Sequence, residues 1–208
     1  MPTSSAQPIQ RVVNDASAEL RQVALQMFAE NGYTGTSLQQ IADAAGYSKS
    51  SVLYHFRSKE ALFEAALAPA VAELDQFLDS IVEKLTSDVR RDEFVVDFVD
   101  LLLEHRLAAH IIINQGQTLS DIPIIDQARG LIERIGESFM SGLPTTKQRI
   151  RLGVALAGAA YILVASTPTL LEGEDIVEVR EALIDVVTEL ITPLAAERRP
   201  QTGASSPS

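Results

Sequence analysis

The stretch from Ser37 to Leu62, SLQQIADAAGYSKSSVLYHFRSKEAL, constrains this chain more than any other segment. Ser37 precedes Leu38, Ile41 and Ala42, which are apolar at the i, i+3, i+4 spacing of one helix face. Gln40 stands at the interval of a capping box, in which two side chains bond each other's backbone N–H. Gly46 follows Ala44 and Ala45 and suits the position after a helix end, where glycine takes a left-handed backbone at little cost. Ser48 offers a second cap before Val52, Leu53 and Phe56, and Ser58 a third before Lys59 to Phe63. The spacing predicts helices over 38–45 and 49–56, a turn at Gly46-Tyr47, and a further helix from Lys59. That is a helix-turn-helix.

The polar residues suit a DNA groove. The second helix opens with Lys49, Ser50 and Ser51, where a recognition helix points short hydrogen-bonding groups at base edges. Tyr54 and His55 follow one turn later, with Arg57 and Lys59 at the exit, and no carboxylate lies between Gly46 and Lys59. Lys and Arg neutralise phosphates, while Ser, Tyr and His hydrogen-bond to phosphates or bases. A glycine-turned helix pair also occurs in proteins that never touch DNA, so charge is the second criterion. The chain of 208 residues has a formal net charge of −11. Residues 1–59 carry five Lys and Arg against four Asp and Glu, and the remainder 12 against 24. DNA repels an acidic body, so only the N-terminal part is electrostatically permitted to approach it.

From about Leu20 to Phe63 the chain resembles the DNA-binding domain of TetR-type transcriptional regulators. The resemblance rests on Ala29-Glu30-Asn31-Gly32-Tyr33, Gly35-Thr36-Ser37, Ile41-Ala42-Asp43-Ala44-Ala45-Gly46, Ser48-Lys49 and Phe56-Arg57-Ser58-Lys59-Glu60-Ala61-Leu62, in order and without gaps. It implies an all-α chain with an N-terminal three-helix helix-turn-helix DNA-binding domain and a C-terminal helical-bundle domain for ligand binding and dimerisation. It also implies that Thr36 and Ser37 contact phosphate. Lys49, Ser50 and Ser51 would face the groove, and His55 and Lys59 would touch backbone or bases. One departure is that an aromatic frequent at the position of Leu53 is displaced here to Tyr54. Leu53 then either touches a thymine methyl or belongs to the core.

Composition fits that class. Cysteine is absent, so neither a disulfide framework nor a thiolate metal site is available. The start, MPTSSAQPIQ, lacks an apolar signal-peptide core, and a cytoplasmic location is expected. Residues 1–13 and 197–208 read as disordered tails, 14–60 as the DNA-binding domain and 61–196 as the helical regulatory and dimerisation domain. Helices are expected over 17–31, ending at Gly32, from Ser58 onward with Pro69 marking a kink or a break, and over 92–109. Residues 110–114 continue or follow that last helix. Others are expected from Pro123 to near Gly142, over 147–166 and over 175–196. Nothing alternates with period two over a useful length, so no sheet is expected.

The most apolar piece, Leu152 to Ser166, is shorter than the roughly 20 residues a membrane helix needs. No membrane partner is expected. Gly153, Ala157, Gly158 and Tyr161 on this helix, with Leu183, Val187 and Leu190 on the last, form a candidate dimer interface. Two helices from each subunit would build a four-helix contact by two-fold symmetry. A dimer sets two recognition helices about one helical turn, roughly 34 Å, apart on a palindromic operator in double-stranded DNA. The resemblance further implies an unidentified small-molecule effector, with Phe94, Phe98, Leu102, His105, His110, Asn114 and Gln117 as candidate ligand residues. The first three of these also suit an ordinary core. No cofactor, metal or catalytic residue is expected, because three His, no Cys and no Gly-rich phosphate loop leave few ingredients for an enzyme. The contrasting function is a helical adaptor binding another protein through its acidic C-terminal body.

Overall fold

The computed structural model describes residues 7–85, 91–141, 143, 145–164 and 173–192. Over these the chain is all α, with no strand. The elements are α1 Gln7–Gly35, α2 Leu38–Ala45, α3 Lys49–His55, α4 Lys59–Leu85, α5 Arg91–Glu104, α6 Arg106–Gln115, α7 Pro123–Ser141, α8 Thr146–Val164 and α9 Ile176–Ile191.

Most helix ends fall where caps and breakers put them. α1 is broken at Gly32, whose φ of 76° and ψ of 161° lie outside the helical region. α7 opens on Pro123, whose missing N–H costs nothing in a first turn. The Asp175 carboxylate caps α9 by accepting from the Val177 N–H at 2.7 Å. α4 continues through Pro69 without dividing.

Two boundaries differ from expectation. α1 starts at Gln7 rather than near Ser17, so residues 7–13 of the expected disordered tail are helical. Extending an existing helix costs far less than nucleating one, and polar composition alone does not stop it. The single helix expected over 92–109 is two, α5 and α6, parted at His105 (φ −107°, ψ 29°). No Gly, Pro or side-chain cap marks that position, so apolar periodicity runs straight across it. Residues 197–208, and the expected last residues 165–166 and 193–196 of the final two helices, lie outside the described residues. No helix among the described residues is long and apolar enough to cross a membrane.

The chain forms two compact units. The first comprises residues up to Asp75 together with His105–Leu131. Its core joins Leu20, Ala24 and Phe28 of α1, Ile41 of α2, Val52 of α3 and Leu62, Phe63 and Leu67 of α4 to Ile111, Ile122 and Ile125. This unit therefore reaches past residue 60, because α6 and the start of α7 close the core that the helix-turn-helix begins. Phe28 meets Phe63 edge-on at 5.1 Å, and Tyr33 meets Phe63 at 4.8 Å.

The second unit comprises Gln76–Glu104 and the chain from Ile132. Phe94, Val95 and Val99 of α5, Leu152, Ala155, Ala159 and Leu163 of α8, and Val179, Leu183, Val187 and Ile191 of α9 are buried. Arg180 of α9 forks onto Asp100 of α5, with Nη2 donating to Oδ2 at 2.8 Å. Those hydrogen bonds hold the Asp100 carboxyl below its ordinary range, against the opposing effect of burial.

Candidate nucleic-acid interface

The helix-turn-helix is locked by its own side chains. Ser37 Oγ accepts from the Gln40 N–H at 3.3 Å, and Gln40 Oε1 accepts from the Ser37 N–H at 2.8 Å, completing the capping box. Gly46 adopts φ 74°, ψ 22°, the left-handed region where a side chain would be strained. The Tyr47 N–H then reaches back to the Ala42 carbonyl at 2.8 Å. The Tyr47 hydroxyl donates to Glu19 of α1 at 2.9 Å, which ties the turn to the first helix. Ser48 Oγ accepts from the Ser51 N–H at 3.1 Å and starts α3.

This framework turns the apolar side of α3 inward at Val52 and Phe56 and leaves the other side open. Lys49 and Ser50 are exposed, and Ser51 and His55 half-buried. Tyr54 is 80% exposed, with its ring 5.4 Å from that of His55. Leu53 is exposed, which removes the core alternative. Ser37 and Arg57 are exposed as well. Lys49, Ser50, Leu53 and Tyr54 thus share one accessible surface, made of a cation, a hydroxyl, an aliphatic group and a phenol. Such a surface matches a groove edge in chemistry.

Two residues expected to touch DNA are engaged inside the protein instead. Thr36 is 2% exposed, and its hydroxyl is shared between the carbonyls of Met27 at 3.1 Å and Gly32 at 2.9 Å. Lys59 Nζ donates to the carbonyls of Tyr33 at 2.9 Å and Thr36 at 3.0 Å, and sits 4.2 Å from the centre of the Tyr33 ring. Burial, with Glu60 and Glu64 nearby, pushes the pKa of the Tyr33 hydroxyl up, so the ring beneath the ammonium is a neutral phenol. The Gly32 and Tyr33 carbonyls lie at and past the break, where no helix continues to pair them, and Thr36 and Lys59 supply donors to them. Thr36→Val keeps the shape and removes one donor. The expected result is a loss of about 1–2 kcal/mol in stability by denaturant titration, with the salt dependence of DNA binding unchanged.

The candidate ligand residues divide between the units. In the second, Phe94 is fully buried and stacks on Phe77 at 5.6 Å and on Phe98 at 6.2 Å, and Leu102 is half-buried. In the first, His105 Nε2 lies 2.7 Å from Glu73 Oε2, and His110 Nδ1 lies 3.1 Å from Asn114 Nδ2. Asn114 and Gln117 are exposed. The neighbouring Gln115, which sequence patterning does not single out, bonds to groups 82 and 87 residues away.

The candidate dimer residues also separate. Leu183 and Val187, expected at an interface, are 7% and 1% exposed and pack within the second unit. Leu190 and Gly158 are half-buried. Gly153, Ala157 and Tyr161 lie on the outer side of α8. There Ile150, Val154 and Tyr161 are 62%, 59% and 61% exposed, an apolar stripe opposite the face that α8 buries.

Residues 20–66 match the family model described as bacterial regulatory proteins, tetR family. Over this stretch, under a quarter of the chain, the sequence is similar to the TetR DNA-binding domain. It is 33% identical over 128 residues to the HTH-type transcriptional repressor KstR2 of Mycolicibacterium smegmatis, covering 60% of this chain and 59% of that one. It is 46% identical over 57 residues to the HTH-type transcriptional regulator RutR of Escherichia coli, covering 27% of each. The chain therefore spans about three fifths and about a quarter of these relatives. Among solved structures, the ketosteroid transcriptional regulator KstR2 of Mycobacterium tuberculosis shares the fold, with a TM-score of 0.65 and 18% identity over 85% of this chain and 93% of that one. SCO3833, a TetR regulator from Streptomyces coelicolor, gives a TM-score of 0.63 and 25% identity over 83% and 89%.

Proposed function

We propose that this chain is a TetR-family homodimeric transcriptional repressor that binds a palindromic operator and is released by a small-molecule effector. The observation that carries the DNA-binding part is the open face of α3. A doubly capped helix pair holds Lys49, Ser50, Leu53 and Tyr54 outward together, with Ser51, His55 and Ser37 at its margin. Lys49 and Ser50 supply the groove-facing donors, Tyr54 a phosphate or base contact, and Ser37 and Arg57 the flanking backbone contacts. Residues 14–60 form the DNA-binding domain and 61–196 the regulatory and dimerisation domain in this reading. The exposed stripe on α8 supports a second copy of the chain as the partner. An effector dislodges the dimer only by its greater affinity for a conformation in which the two recognition helices are wrongly spaced.

Selection of duplexes from a random-sequence library tests the proposal. A single enriched palindrome is expected. Lys49→Ala should weaken its binding about ten- to hundredfold while leaving the dimer intact. It should also flatten the log–log dependence of affinity on salt by about one unit per lost phosphate contact. A folded dimer that retains no duplex at low salt would favour the adaptor.

A further inference from the structure

We propose that Gln115 is a positioning residue for DNA reading. Its side-chain amide bridges the break in α1 and holds the root of the helix-turn-helix in place. This rests on the DNA-binding reading above.

The break at Gly32 turns the Tyr33 N–H away from the i−4 carbonyl it would meet in a continuous helix. One amide ties the two sides of the break together. Gln115 Nε2 donates to the Phe28 carbonyl at 3.0 Å, and the Tyr33 N–H donates to Gln115 Oε1 at 3.0 Å. A Cβ on Gly32 would stand 3.7 Å from that same Oε1, so the amide lies directly against the break. The other polar ties at this junction come from Thr36 and from Lys59 at the start of α4. Gln115 alone among the described side-chain bonds here reaches in from α6.

Gln115 is itself held at its backbone. Its carbonyl accepts from the N–H groups of Thr118 at 3.0 Å and Leu119 at 3.1 Å, and from the Thr118 hydroxyl at 2.9 Å. The next residue, Gly116, has no room for a side chain, since a Cβ would meet the Ile112 carbonyl oxygen at 2.2 Å. The end of α6 and the turn behind it thus form a fixed mount. The apolar contacts of Ile111, Ile122 and Ile125 with α1 and α4 are non-directional and tolerate sliding. A two-point hydrogen bond does not, because a shift of about 1 Å takes it out of range. Thr36, the next tied residue, stands immediately before the cap of α2. The position of the α6 end is therefore imposed on α2 and α3 through this amide.

The test uses the full chain and the duplex that wild type enriches from a random library, with amide hydrogen exchange alongside. Gln115→Leu removes both bonds at similar size. It should lower duplex affinity about tenfold and speed exchange at Tyr33 and across α2 and α3, with α8 and α9 unchanged. Gln115→Glu retains an acceptor for the Tyr33 N–H but sets a carboxylate oxygen against the Phe28 carbonyl, so it too should lose affinity and speed exchange at Tyr33, and it decides the matter if Gln115→Leu does not fold. Wild-type affinity in Gln115→Leu would overturn the proposal. So would a loss accompanied by exchange that speeds equally in α8 and α9, the mark of general destabilisation. If wild type enriches no duplex, the regulator reading fails by itself. The exchange arm still decides the bridge, since unchanged protection at Tyr33 in Gln115→Leu refutes it.

Discussion

Val154→Arg is expected to convert the homodimer proposed above into monomers. Val154 sits midway along the exposed stripe of α8, between Ile150 and Tyr161 and beside the small Ala157. These positions follow one another at i, i+4, i+7 and i+11, the seam spacing of two helices packed at a shallow angle. An isologous interface sets such a stripe against its own copy, so one substitution places two guanidinium groups in the same apolar contact. Like charges brought together across an interface cost several kcal/mol, and each ~1.4 kcal/mol is tenfold. The dimer dissociation constant should rise by about a thousandfold, read by sedimentation equilibrium over a dilution series. Val154 is largely exposed within its own unit, so the melting temperature measured on the monomer should hardly move. Val154→Leu, which preserves an apolar knob, should stay dimeric. A Val154→Arg protein that sediments as wild type would place the interface elsewhere. DNA affinity should fall with the dimer, because a lone recognition helix contacts only half of the palindrome.

The second large effect is on stability. Phe28 is fully buried where α1, α2, α4 and α6 converge. Its ring meets Phe63 edge-on at 5.1 Å and Tyr33 at 5.7 Å. Phe28→Ala deletes the whole ring from a packed site. The transfer loss and the cavity together should cost about 3–5 kcal/mol, with the aromatic pairs adding to the upper end. Domains are stable by only about 5–15 kcal/mol, so this removes a large share. Urea titration monitored by circular dichroism should show an early transition, and DNA binding should vanish at concentrations of urea that wild type tolerates. A loss under about 1 kcal/mol would mean that the site collapses without penalty and that Phe28 is not the keystone of the first unit.

The local parts of this fold were legible because their determinants are local. The Ser37–Gln40 box, the left-handed Gly46 and the Ser48 cap act over a handful of residues, and helices α2 and α3 fall where these put them. The break at Gly32 was legible for the same reason. The division at His105 was not, because its side-chain partner, Glu73, lies on α4 and periodicity does not register it. Side-chain roles were not legible wherever a polar group has an internal use. Thr36 and Lys59 carry the residue types of a DNA contact, yet both bond backbone carbonyls around the Gly32 break. Leu183 and Val187 show the matching limit in the core, where both are buried within their own unit, since an apolar stripe states that a helix buries a face but not against which partner. For Gln115 no sequence signal exists, as its bonding partners lie on the far side of α2 to α5 in the chain.

Engaging Thr36 and Lys59 within the fold has a genetic consequence. Alleles that abolish the proposed repression should fall into two populations that sequence position alone does not separate. Changes at Lys49 or Tyr54 should yield abundant, soluble protein that occupies no operator and still titrates wild-type subunits into inactive mixed dimers. Changes at Thr36 or Lys59 should lower the amount of folded protein and so behave as recessive. Dominance in a merodiploid would thus sort the surface that meets DNA from the joint that supports it.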